Sequence, residues 1–487
     1  MSSQLYPARP LVRVSAFRIW LDRLFQFILI VGLGVLIGQQ YMAPDKRIIQ
    51  LAAAALVVGV AWRLNMVSGL GVLIMMLPFP RGTTFGNTNF AFILVLLVIY
   101  LLRLSQREVA RPERSPTDGP ILAFLLMVIV SFYNVPDMRH LSFALQQFQL
   151  FLGTLLLFFL IQQNVHSVRD LKRMQMFQTV VILALGLIAI WELDHPGGKL
   201  VPGWIEFTAT VSEDFSKKNL RVGVTFFDFE LLADFCGLNL LVLTFFFLRA
   251  RSVARKVGYA FLLVLTLFVL FSTVTRGPLF SLSAALLYLA WQMRRRLQIV
   301  PLTITVCIIL AAFFAMNFYV ANFTASGNLF ERMEKTEVVG GWMPDSRAGA
   351  WTDAWTRAWE HPLIGHGPYY SAERGGLKFW YWPHNLYLYV ANNVGFIGLG
   401  IFLTILYSFW RITRSRASSL TDPDYVESYL FVARAQLVFF MVDQFKIEYW
   451  RNPTYQFQVW LMFAFWVAAA RLAERQRKGQ LPILSSA

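Results

Sequence analysis

Two arginines and one histidine stand where apolar runs of this chain begin or end, in settings suited to anion binding and proton transfer. Arg276 lies in "FSTVTRGPLF", and Gly277-Pro278 behind it supplies a tight turn and a helix start. A charge at membrane depth is costly, so such a residue is usually functional or paired. One reading makes Arg276 an anion contact, because guanidinium grips phosphate through two parallel hydrogen bonds. The other makes it a helix-end arginine whose head reaches the lipid headgroups. Arg347 opens "RAGAWTDAWTRAWEHP". Ala348, Trp351, Ala354, Trp355, Ala358 and Trp359 follow helical spacing, which predicts an amphipathic helix ended by His361-Pro362, with Asp345 or Ser346 as its cap. Arg347 then falls in the first turn, where the helix dipole disfavours a cation. That placement is either purposeful or a solvated loop charge. His384 lies in "WYWPHNLYLYV", where Pro383 fixes the start of a span. Neutral imidazole is the side chain best suited to take a proton near neutral pH. An interfacial histidine in an aromatic belt with Trp380, Tyr381 and Trp382 fits the same residues.

Other polar residues surround these three. Asp228, Glu230 and Asp234 fall near the start of a span in "RVGVTFFDFELLADF" and can meet a cation or an acceptor sugar, or pair with Arg221, Arg276 or Arg347; pairing is favoured. Arg221, Asp228, Glu230, His366 and Asn385 are thus candidates for either substrate contact or structural pairing. His361 and His366 are five apart with Pro362 between them, which is not the helical spacing of a metal pair, and no metal or cofactor is expected. Arg434 and Asp443 are nine apart, too far to pair along one helix, so their partners are expected on other helices. Cys236 and Cys307 sit in apolar runs and read as small core residues.

The elements that must position these groups are membrane helices. Of the 487 residues 57% are hydrophobic and only 15% charged, against about 25% charged in an ordinary soluble protein. Spans of roughly 20 apolar residues are expected at about 17–40, 48–62, 64–79, 89–104, 119–135, 140–162, 174–193, 228–249, 256–275, 277–293, 298–320, 384–410, 427–445 and 453–471, the second and third short enough for a re-entrant pair. The fold class is therefore all-α, a polytopic membrane protein of about 12–14 helices. The net charge of +16 does not point to nucleic acid, because the basic residues lie in short runs between apolar segments. With the first residues in the cytoplasm, "RLSQREVARPER", "RDLKR", "RARSVARK", "RRR", "RITRSR" and "RLAERQRK" all fall inside, and both termini are cytoplasmic. The run near Phe25–Ile37 reads as a retained helix, since no small-residue cleavage site follows it.

The expected organisation is an N-terminal bundle (1–193), a first outer loop (194–224), spans carrying Arg276 (225–320), a long second outer loop (321–383), C-terminal spans (384–471) and a cytoplasmic tail (472–487). No glycine-rich phosphate loop or nucleotide-binding cassette is seen, which argues against ATP as energy source, and no internal repeat of the transporter kind is seen.

Four segments in order carry a family resemblance. "GVTFFDFELLA", "TRG", "RAGAWTDAWTRAWEHPLIGHGP" and "PHNLYLYVANNVGFIGLG" resemble motifs of the O-antigen ligase and O-antigen polymerase superfamily, best over about Arg221–Gly400. Two positions depart from it: Phe229-Glu230 replaces the usual Pro-Asn, and Thr275 the commoner Ser. The resemblance implies a GT-C-like, metal-independent, inverting glycosyltransferase of the bacterial inner membrane, needing no cofactor. It would move a glycan from undecaprenyl diphosphate to a hydroxyl of lipid A-core, or of a second lipid-linked glycan, on the periplasmic side. His384 matches the motif histidine and would act as base. Arg276 and Arg347 match the two arginines and would hold the diphosphate. A ligase and a polymerase differ only in the acceptor, and the long second loop leans towards ligase. A transporter or glycan flippase is the competing class, but it would set its charges near the midplane on broken helices.

Overall fold

The computed structural model describes residues 59, 66–79, 82–83, 86–109, 111–195, 199–201, 205–206, 221–294, 299–324, 328–329, 338–339, 343–368, 371–374, 377–380 and 382–480. The spans expected at 17–40 and 48–62 lie outside these apart from one residue. The fold is all-α. Helices α1 (Met66–Met76), α2 (Thr88–Ser105), α3 (Asp118–Ser131), α4 (Met138–Asn164) and α5 (Val168–Asp194) form the first half. The second comprises α6 (Phe229–Arg249), α7 (Val253–Ser272), α8 (Gly277–Met293), α9 (Ile299–Phe323), α10 (Asp345–Ala358), α11 (Leu386–Ile412), α12 (Tyr425–Asp443) and α13 (Pro453–Arg477). Each expected span within the described residues coincides with a helix, and α10 is the amphipathic helix. Among the described residues seven helices are long and apolar enough to cross a membrane: α4–α7 and α11–α13. The extended pairings among the described residues are short antiparallel ones between helices, such as Ser371–Arg374 with Leu377–Trp380.

The helix starts are written in local chemistry. Asp137, Ser167, Asp228, Asn385, Asp424 and Asn452 each cap a helix, their side-chain oxygens accepting backbone N–H groups of the first turn. The core centres on α13, which packs along α4, α12 and α11. Trp460, Phe463 and Trp466 on it are buried and meet Phe151, Phe158 and Phe409 ring to ring. A helix apolar all round belongs inside such a bundle. By contrast Leu126, Val264 and Phe280 on α3, α7 and α8 stay exposed, as lipid-facing residues do. Cys236 is buried, as expected of a small core residue.

One break in α11 positions the rest. Gly395 has φ +78° in mid-helix. The segment after α10 threads into the gap. Phe396 N donates to Pro362 O (2.7 Å), His366 N to Asn392 O (2.9 Å) and Gly367 N to Asn393 O (3.1 Å). Gly365, at φ +70°, lies so close that a Cβ there would meet the Asn393 carbonyl carbon at 2.3 Å. Asn134, in the short 3-10 turn that follows α3, donates to Gly365 O (2.6 Å) and ties the loop to a third element. Above this elbow, the buried Ala354 and Ala358 seat α10 on α11, while Trp355 and Trp359 lie half exposed against Phe396. The alanine stripe makes the buried contact and the tryptophans border it.

Candidate functional site

Four helix starts and one turn converge at one end of the bundle. Asp228 caps α6, accepting from the N–H groups of Glu230 (2.8 Å) and Leu231 (3.2 Å). Asn385 caps α11 in the same way, accepting from Tyr387 (3.0 Å) and Leu388 (3.1 Å). His384 precedes that cap in the left-handed region, φ +52°, a costly conformation for a residue with a side chain. The turn at residues 444–452, between α12 and α13, is fastened alongside: Leu386 N donates to Gln444 O (2.9 Å), and Tyr449 N to Gln444 Oε1 (3.0 Å).

This turn brings a basic residue to His384. Arg451 Nη1 lies 3.3 Å from His384 Nδ1, and Arg451 Nη2 donates to Asp228 Oδ2. Guanidinium only donates, so Nδ1 accepts and a neutral His384 carries its proton on Nε2. Glu230 links the groups: Oε1 accepts from Arg347 Nη2 at 3.2 Å, and Oε2 is 3.9 Å from Arg451 Nη1. Arg276, at the start of α8, is held below its ordinary pKa by burial and by Arg347, with Glu230 opposing. Arg276, Arg347, Arg451 and His384 thus share the field of one carboxylate. Burial pushes the His384 imidazole down to about 4; Glu230 opposes, and Arg451 and Arg347 push further down. The ring is neutral at neutral pH.

A second charge cluster lies below. Lys446 Nζ sits between Asp234 (2.7 Å) and Asp443 (2.9 Å), both fully buried carboxylates. Ser281 on α8 donates to Asp443 Oδ1 (3.0 Å). Burial would lower the Lys446 pKa, but Asp234, Asp443 and Glu230 outweigh it and raise it. Glu448 is buried on the same turn, and burial pushes it up to about 8 against the pull of Arg451.

The expected residues divide into two groups. Arg276, Arg347, His384, Glu230 and Asp228 share the site. Arg221 supports it: its Nε donates to Thr273 O (2.9 Å), its Nη2 to Thr275 Oγ1 (2.9 Å), and its guanidinium stacks on Phe229. It therefore braces the turn that delivers Arg276. Asn385 acts through its cap. His366 belongs to the elbow, where Nε2 donates to Arg357 O (2.9 Å) and burial lowers its pKa. Of the expected pairings Glu230–Arg347 forms, whereas Asp228 takes Arg451 and Asp234 takes Lys446, neither foreseen. Arg434 finds its partner on another helix, donating to Trp410 O (2.8 Å). Arg451 did leave a sequence signal: Arg451-Asn452-Pro453 repeats the spacing of Arg276-Gly277-Pro278, an arginine two residues before a proline in the first turn of a helix. Among the described residues no three of His, Cys, Asp and Glu are grouped to hold a metal ion.

Residues 261–403 match the model of the O-antigen ligase family. The superfamily read from the motifs is the one this match supports. The matched stretch runs from within α7 to within α11 and contains Arg276, Arg347 and His384; Asp228, Glu230 and Arg451 lie outside it. No curated protein matches the chain. The chain therefore carries, within a polytopic helical bundle, a region similar to the O-antigen ligase family.

Proposed function

We propose that the protein is an O-antigen ligase-like glycosyltransferase that moves a glycan from undecaprenyl diphosphate to an acceptor hydroxyl. The observation that carries the reading is the convergence of Arg276, Arg347 and Arg451 around Glu230, with a neutral imidazole beside them. Arg276 and Arg347 hold the diphosphate and offset its charge as it departs; donors aimed at developing charge in a site shielded from water are catalytically strong. The acceptor oxygen attacks the anomeric carbon, the bond from that carbon to the phosphate oxygen breaks, and the diphosphate leaves with the electron pair. His384 receives the hydroxyl proton. Diphosphate leaves without protonation, so the chemistry calls for no acid and no metal ion. Direct attack inverts the anomeric carbon. The Lys/Arg pattern supports an orientation with both termini cytoplasmic and the site on the outer side, and the family resemblance supports a bacterial inner membrane, which makes that side periplasmic. Lipid A-core is the acceptor class of the ligase reading, and a second lipid-linked glycan that of a polymerase.

Proteoliposomes supplied with lipid-linked repeat units, with and without a lipid A-core acceptor and EDTA, test this. Acceptor-dependent, EDTA-insensitive product, lost in Arg276→Ala, Arg347→Ala and His384→Ala, is the expected result. Ladders formed without added acceptor would assign polymerase chemistry instead. Full activity in His384→Ala would overturn the mechanism.

A further inference from the structure

His384 cannot act as a base in the arrangement described. The lone pair on Nδ1 is taken up by Arg451 Nη1, and Nε2 already carries the proton. Moving that proton to Nδ1 would free Nε2, but it would point an N–H at a guanidinium N–H. One change removes both obstacles, namely a displacement of Arg451.

We propose that Arg451 is a positioning residue that locks His384 in the donor-free site, and that the donor's diphosphate releases it by drawing Nη1 away from Nδ1. This rests on the function proposed above. The geometry suits such an exchange. Nη2 is anchored on Asp228, a fixed helix cap, and forms the pivot. Among the described residues Nη1 meets only a neutral ring nitrogen at 3.3 Å and a carboxylate at 3.9 Å. A diphosphate oxygen offers Nη1 a charge-assisted bond, about twice as strong as one to a neutral acceptor. Rotation about the Asp228 contact then adds a third guanidinium to the diphosphate and exposes the Nδ1 lone pair to the acceptor hydroxyl. The charged groups around His384 are Glu230 on α6, Arg347 on α10 and Arg451 on the 444–452 turn; Asp228, Arg276, Lys446 and Glu448 act on these in turn. The diphosphate therefore switches on the base that completes its own transfer, and donor binding precedes acceptor activation.

The test needs no turnover. The chain has 6 histidines, so magnetic resonance of isotope-labelled histidine, assigned with His384→Gln, can follow one ring in nanodiscs. In donor-free protein His384 should show a single neutral tautomer with the proton on Nε2, a hydrogen-bonded Nδ1, and titration below the ordinary histidine range. Undecaprenyl diphosphate should abolish the Nδ1 hydrogen-bond signature and raise the titration by about one unit or more, the size of effect a neighbouring charge produces. Arg451→Gln should do the same without ligand, and Arg451→Lys should restore part of the lock. An Nδ1 signature unchanged by undecaprenyl diphosphate in the wild type would overturn the proposal, whether or not the variants fold. So would an identical titration in folded Arg451→Gln. Glycan transfer with a failed lock would refute this inference alone; an intact lock in a protein that transfers nothing would refute the catalytic reading and leave the lock standing.

Discussion

Replacing Gly395 by alanine should detach the α10 segment from α11. A Cβ at this position would lie 2.2 Å from Leu363 O and 2.4 Å from the Leu363 carbonyl carbon, both backbone atoms that no rotamer change can move aside. The residue also sits at φ +78° and ψ 175°, a region essentially reserved for glycine, where a side chain costs about 1–3 kcal/mol. If the loop backs out, it gives up the bonds from Phe396 N, His366 N and Gly367 N across the break. At about 1 kcal/mol net for each, these bonds hold the wild-type loop closed by about 3 kcal/mol, an open population of about 1%. At about 1.4 kcal/mol per decade, a backbone clash that cancels this closing energy raises the open population of the 345–367 segment about a hundredfold. Limited proteolysis in detergent reads this directly, because cleavage of an opening segment follows its open population. Gly365→Ala should act alike, since its Cβ would strike the Asn393 backbone. Gly400→Ala is the control, with no atom within 4 Å of its Cβ. Cleavage rates for Gly395→Ala that match those of Gly400→Ala would show that the break does not hold the loop.

Three further outcomes are expected. Lys446→Met strands two buried carboxylates, Asp234 and Asp443, and should cost about 3–5 kcal/mol, seen as lost folded yield and a lower unfolding temperature; Lys446→Met with Asp234→Leu should recover part of it. Glu448 is raised from 4.5 to about 8 in the folded protein, so its neutral form favours folding. That contribution is complete below the unfolded value and is lost as pH rises through about 8. Glu448→Gln should flatten the alkaline fall in unfolding temperature, and an unchanged slope would refute the assignment. His384 is lowered from 6.5 to about 4, so its contribution is present above 6.5 and is lost as pH falls through about 4; His384→Gln should flatten the acid side.

The helices were legible because span length and apolar content are local properties, and every described span lies where the apolar runs put it. Arg276, Arg347 and His384 were legible because each adjoins a helix boundary and a motif. Their assembly was not, because it depends on pairings across large sequence separations. Glu230 and Arg347 are 117 residues apart, and Asp228 and Arg451 are 223 apart. No periodicity encodes such contacts. Gly365 and Gly395 illustrate the same limit: each glycine reads as a flexible point until the two backbones are seen to interlock. By sequence Arg221, His366 and Asn385 fit either substrate contact or structural pairing, and local hydrogen bonds give each a structural place.

The interlock at Gly395 has a mechanical consequence. With the loop sewn through the helix, the stalk bearing Arg347 and the one that His384 precedes form a single lever rather than a cover over a base. On the proposed function, a lipid-linked sugar admitted by lifting α10 away would tear backbone from backbone. Its route would instead pass sideways, between this lever and the α6–α8 wall that carries Glu230 and Arg276, along the bilayer plane.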